Sequence, residues 1–112
     1  MLAPRAVYLA SIIGGARAVA VLRSALQSAS VEVRVQGAAG SRNLEKDAAE
    51  ELLLIALRDP DPSIRTIALK TVDKAFGTAE QPDTVRQIIT GISLSDPEVS
   101  IRERAARASE PT

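Results

Sequence analysis

Three stretches of this chain superimpose without a gap: LQSASVEVR from Leu26, LRDPDPSIR from Leu57 and LSDPEVSIR from Leu94. Each opens on Leu, carries Ser or Asp two places on (Ser28, Asp59, Asp96) and closes on a β-branched residue followed by Arg (Arg34, Arg65, Arg102). This recurrence constrains the fold more than any other feature. One copy is too short to bury a hydrophobic face alone, so neighbouring copies have to cover one another. The first two arginines are 31 residues apart and the last two 37. The surplus lies in GTAEQP, Gly77 to Pro82, which reads as a lengthened loop.

Between these markers apolar residues recur at the period of an amphipathic helix. Ala49, Leu52, Leu53 and Ala56 share one face of the segment from Lys46. Ile64, Ile67, Ala68, Val72 and Ala75 share a face of the next, with Arg65, Thr66, Lys70, Asp73 and Lys74 opposite. Val85, Ile88, Ile89 and Ile92 carry a further helix, and Ile101, Ala105 and Ala108 the last. The Asp-Pro pairs mark corners between paired helices. Pro60 cannot continue the helix that ends near Leu57 or Arg58, because it lacks an N–H and clashes with the preceding turn. Asp61 is placed to cap the next helix, and Pro62 suits its first position, where no N–H is needed. Asp96-Pro97 follows the same logic, with the helix starting there or slightly later.

Composition narrows the chemistry. With no Cys and no His, the 112 residues hold no disulfide, no thiolate or imidazole metal site, and no Ser-His-Asp or Cys-His arrangement. Fourteen acidic and fourteen basic residues cancel, which argues against a broad electrostatic grip on nucleic acid or anionic membrane. Tyr8 and Phe76 are the only aromatic residues, too few for base stacking. The apolar N-terminus, with Arg5 and an Ala16-Arg17-Ala18 pattern, has the outline of a secretory signal. Against this, Arg17 stands inside the cleavage motif and the segment fits the repeat. No run of 18 apolar residues is present, so no membrane span is expected, and the expected location is cytoplasmic.

The Leu-rich helix, the Asp-Pro corner and the Ile-Arg opening of an Ala-rich second helix, as in LRDPDPSIRTIALKTV and LSDPEVSIRERAARAS, resemble HEAT repeats, above all the short type also found in phycobilisome lyases. LASIIGGARAVAVLRSAL is similar to the joint between such repeats. The resemblance implies an all-α, right-handed α-solenoid of about three and a half HEAT-like repeats: a half repeat over 3–13 and hairpins over 15–43, 44–76 and 82–109. Two departures stand out. The first corner has Ser28 and Ser30 in place of acids, and Gly37 and Gly40 interrupt its second helix. The half repeat also leaves Val7, Leu9, Ile12 and Ile13 more apolar surface than one neighbour covers.

Several residues qualify as sites. Arg34, Arg65 and Arg102 are expected to be structural, bonding corner acids or carbonyls of an adjacent repeat, with Asp59 and Asp96 in the same ladder. The acid pairs Glu50-Glu51 and Asp59/Asp61 lack any converging nucleophile or ligand set, and Gly14-Gly15 lacks the remainder of a phosphate loop. The resemblance implies that second helices line a concave partner surface. Val35, Ala39 and Arg42, then Thr66, Lys70 and Asp73, then Glu103 and Arg107 would project there. Arg42, Lys70 and Arg107, with Arg104 nearby, would make a shallow basic stripe. The expected function is a non-enzymatic protein–protein interaction or scaffold module without cofactor or metal. Its expected partner is another protein, or a second copy bound through the apolar N-terminal end, and neither nucleic acid nor membrane. Two other readings come from the same resemblance: an accessory subunit of a lyase acting on a tetrapyrrole-carrying protein, and a DNA-binding HEAT-like domain.

Overall fold

Helix dominates the described residues, which are 3–13, 15–77 and 80–109 of a computed structural model, with Tyr8, Ser11, Ile13 and Ser109 placed by backbone only. The helices are α1 (Pro4–Ile13), α2 (Gly15–Leu26), α3 (Val31–Gly40), α4 (Lys46–Ala56), α5 (Pro62–Phe76), α6 (Asp83–Ser95) and α7 (Val99–Ser109). A 3-10 turn over Ser41–Asn43 follows α3. No strand occurs among the described residues, and the protein is all-α.

The helix ends have local causes. Ser30 Oγ accepts the Val33 N–H at 3.3 Å and caps α3. Asp61 Oδ1 accepts the Ser63 N–H at 2.8 Å and caps α5, with Pro62 at its first position. Both side chains satisfy an amide that the first turn leaves without a helical acceptor. Gly15 (φ 81°) opens α2 and Gly77 (φ 70°) closes α5. Both lie in the left-handed region that glycine enters without a Cβ penalty. Gly14, and Thr78 and Ala79 of the expected long loop, lie outside the described residues.

Packing follows chain order. α2 packs on α3, α4 on α5 and α6 on α7. Across the pairs, α2, α4 and α6 touch in sequence, as do α1, α3, α5 and α7. The helices thus form two layers, a first layer of three and a second layer of four. The core lies between them: Leu22, Leu26, Leu52, Leu53, Leu57 and Ile89 from the first, Val33, Ile64, Leu69, Val72 and Ile101 from the second. One expectation is corrected here. Arg65, placed by periodicity on the polar face of α5, is 9% exposed and buried at the corner. Arg65 stands three, four and seven residues before the buried Ala68, Leu69 and Val72, so it shares their face, and acceptors at the corner satisfy its charge there.

Of the two glycines, Gly37 does not break α3, whereas the α-helix ends at Gly40 and passes into the 3-10 turn. Gly37 instead allows a close approach. A Cβ at this position would stand 3.1 Å from Ala25 Cβ, 3.2 Å from Leu26 Cγ and 3.3 Å from the Leu22 carbonyl oxygen. Gly37→Val is therefore expected to overpack the α2–α3 contact and cost about 1–3 kcal/mol. Gly91, inside α6 with open space at its Cβ, should respond oppositely, Gly91→Ala gaining about 0.4–1 kcal/mol. Urea titration of the two variants against the parent chain measures both.

Candidate functional site

The three corners are one device built from the same atoms. At the first residue of each, a side-chain oxygen accepts the N–H two residues on: Ser28 Oγ from Ser30 (3.1 Å), Asp59 Oδ1 from Asp61 (2.9 Å), Asp96 Oδ1 from Glu98 (3.0 Å). Six residues beyond it stands the arginine. Its Nη1 donates back to the corner carbonyl oxygens: Arg34 to Ser28 (2.9 Å), Arg65 to Asp59 (2.9 Å) and Pro60 (3.0 Å), Arg102 to Asp96 (2.6 Å). The other side of the guanidinium reaches forward. Arg34 Nε donates to Asp59 Oδ2 at 2.9 Å. Arg65 grips Asp96 with two bonds, Nε to Oδ2 at 2.7 Å and Nη2 to Oδ1 at 3.1 Å. Each such arginine therefore ties two corners together. The expectation of carbonyls from an adjacent repeat is corrected: the carbonyls belong to the arginine's own corner, and only the carboxylate is the neighbour's. The reach of the side chain explains this, since six residues of turn and helix bring the guanidinium back over the corner it follows.

These pairs are shielded from water. The Arg65 and Asp96 side chains are 11% and 3% exposed. Burial alone pushes the Asp96 carboxyl up, but hydrogen bonds from Arg65 and the Glu98 N–H, with the charges of Arg65 and Arg102, hold it below the ordinary aspartate value. The surface acids are also depressed, Asp61 by Ser63, Glu51 by Arg23 and Glu80 by Lys46, each first through a side-chain hydrogen bond.

The acid pairs turn out to tie helices rather than converge on a site. Glu51 accepts from Arg23 at 2.7 Å, linking α4 to α2, and Glu50 accepts from Thr84, linking α4 to α6. Among the described residues, no three acidic side chains gather as a cation would need. Phe76 lies in the core, so it offers no open aromatic wall. The Tyr8 side chain lies outside the described set.

The expected partner surface is spread over the second layer. Lys70, Asp73, Glu103 and Arg107 are exposed, and Thr66 and Arg104 are half-buried. Thr66 Oγ1 donates to the Pro62 carbonyl oxygen at 2.9 Å. Arg42 is exposed but belongs to the 3-10 turn, not to α3, which ends at Gly40. It lines a shallow opening with Gln36, Ala39, Thr71 and Lys74. Lys70 and Arg107 each follow a corner arginine by five residues, so they occupy equivalent places on α5 and α7. Ile12 of α1 and Ala39 of α3 hold the matching helical positions. This surface starts apolar where the half repeat was expected to leave side chains uncovered: Leu9 is 50% and Ile12 57% exposed, whereas Val7 is fully buried.

Removing Arg65 strands a buried carboxylate, so Arg65→Ala is expected to cost about 3–5 kcal/mol. Arg65→Met with Asp96→Leu should recover most of that loss in thermal denaturation. Acid tests the same pair. Asp96 is below its unfolded value of about 3.9, so the pair contributes fully above that pH and is lost as pH falls through the folded value. Asp96→Asn is expected to lower stability at pH 7 and to flatten the fall below about pH 4, read from urea midpoints across the acid range. Searches of protein-family models, of curated proteins and of solved structures found no match for this chain.

Proposed function

We propose that the chain is a non-enzymatic protein-binding module, a short right-handed α-solenoid of HEAT-like hairpins that engages its partner through the solvent face of the second layer. The observation that supports this reading is the corner device repeated in register, with layers that touch in chain order. The dimensions agree. Four second-layer helices spaced about 10 Å apart, with Cα radii of about 2.3 Å, span about 35 Å, and the molecule measures 35 × 26 × 16 Å. The shortest dimension fits two helix layers by the same arithmetic.

The second-layer face suits a partner because its residues are released from structural duty. The corner arginines and the buried faces hold the hairpins, while Lys70, Asp73, Glu103 and Arg107 point to water. Along the layer it passes from Leu9 and Ile12 to an end where Lys70, Arg104 and Arg107 stand among Asp73 and Glu103. A surface apolar at one end and charged at the other matches an amphipathic protein segment. A rigid array loses little ordering entropy in presenting it. The exposed Leu9 and Ile12 also favour the second reading, self-association through α1.

Capture from a lysate of the source cells tests the reading. The wild-type chain is expected to retain a defined protein that Lys70→Glu with Arg107→Glu loses at least tenfold. Equal retention by both would remove the second-layer face from consideration. Sedimentation of the wild type against Ile12→Glu reports the self-association reading: a concentration-dependent shift that the variant abolishes supports it.

A further inference from the structure

Positions buried in the first two hairpins but exposed in the third mark the surface each hairpin presents to its successor. On the first-layer helices these are Ala18, Ala49 and Arg86; Leu22, Leu53 and Thr90; Leu26, Leu57 and Leu94. In α6 two of the three have turned polar, as a helix face bounded by water requires. Leu94 has not. It is 78% exposed where Leu26 and Leu57 are 4% and 1%.

The ladder breaks off at the same corner. Arg34 and Arg65 each bond their own corner carbonyl and the carboxylate of the following corner. Arg102 makes the first kind of bond, to Asp96, and among the described residues reaches no carboxylate. The opposite end lacks both members of the pair. The fourth residue of α1, where α3, α5 and α7 carry their arginines, is the fully buried Val7, and the first corner holds Ser28 in place of an acid. At α1 arginine and acid are absent together; at α7 the arginine is kept.

We infer that Arg102 and Leu94 form a docking point for an acidic corner of another protein, a Leu-x-Asp-Pro turn. The occupied copies define this ligand. Arg34 holds Asp59 of Leu57-Arg58-Asp59-Pro60, and Arg65 holds Asp96 of Leu94-Ser95-Asp96-Pro97. The aspartate supplies the charge for the guanidinium fork, the proline ends the helix and leaves the carboxylate on the turn, and the leucine is the apolar group for Leu94, on the pattern of the Arg34-held turn, whose Leu57 is buried, rather than of the Arg65-held turn, whose leucine stays in water. A second copy of this chain does not fit, because both of its own turns are already held, with carboxylates 7% and 3% exposed. A whole hairpin does not fit either: Arg86 and Thr90 are polar where Ala and Leu receive one. A short turn covers Arg102 and Leu94 and leaves Arg86 and Thr90 in water.

The test is an NMR titration of the full chain with an end-blocked peptide of its own sequence from Ile92 to Ile101, up to about 5 mM, since a single turn supports affinity only near the millimolar range. The peptide is expected to move the Arg102 Nε–H and Leu94 methyl resonances together and to saturate. Its Asp96→Asn counterpart should bind at least tenfold more weakly. Arg102→Gln and Leu94→Ser chains should each lose the response at least tenfold. The second keeps the test decisive if the first is misfolded, because Leu94 packs on little in the parent. Lys70→Glu, on the proposed second-layer surface, should change nothing, so failure of that surface and failure of this docking point are separable. Equal binding of the Asn peptide, shifts elsewhere on the chain, no shift at all, or an equal Arg102 shift with acetate alone would overturn the inference.

Discussion

The guanidinium fork at each corner is the contact on which the arrangement of the hairpins depends. Apolar burial pulls two helix pairs together but has no direction, and a slab of Leu and Ala tolerates sliding along the helix axes. A planar group held on one side by backbone carbonyls and on the other by a carboxylate does not slide. Arg65 fixes the corner of α4 and α5 to the corner of α6 and α7 through four acceptors within 3.1 Å. Such a pair adds little net stability over a well-packed apolar substitute, because both charges must be desolvated. Its contribution is register, and register decides whether Leu57 meets the next hairpin or water.

The gradation along the ladder follows from this. The first corner uses Ser28, whose hydroxyl still accepts the amide two residues on but presents no charge to an upstream arginine. Val7 stands where that arginine would be, so no buried charge is left without its partner. The ionic tie is therefore missing only between α1 and the first corner, while within the first hairpin Gly37 lets α3 lie directly on Ala25 and Leu26. The two devices act at different contacts, one between hairpins and one within a hairpin. The ionic corner depends on pH through Asp96, whereas the glycine contact depends only on shape.

Much of this could be read from the residues. The registered corners, the helical period between them and the capping roles of Asp61 and Pro62 follow from local chemistry, which acts within a few residues. So did the core faces, because Ala49, Leu52, Leu53 and Ala56 repeat at the helical period and are buried. The periodicity of α5 failed at Arg65. A helical wheel separates apolar from polar but cannot show that a charged side chain at the helix start will find two carbonyl oxygens and a carboxylate waiting. The direction of the bonds was equally hidden, since sequence order does not tell whether an arginine turns toward its own corner or the next. Arg42 was assigned to a helix that stops two residues earlier, because a 3-10 turn continues the same apparent period for one step.

The ties on the outer side of the first layer carry a different weight. Arg23 with Glu51 and Lys46 with Glu80 are surface pairs with side chains more than two-fifths exposed, and water screens such pairs so that they add little to stability. They trim the electrostatics of α2, α4 and the loop before α6 without setting how the helices lie. Held by its buried corners, the second layer presents Lys70, Asp73, Glu103 and Arg107 to water. A surface in that position can change its chemistry, apolar at Leu9 and Ile12 and charged at Glu103 and Arg107, while the array beneath it stays the same. That separation leaves the arrangement of the helices to the corners and the surface chemistry to residues the corners do not use.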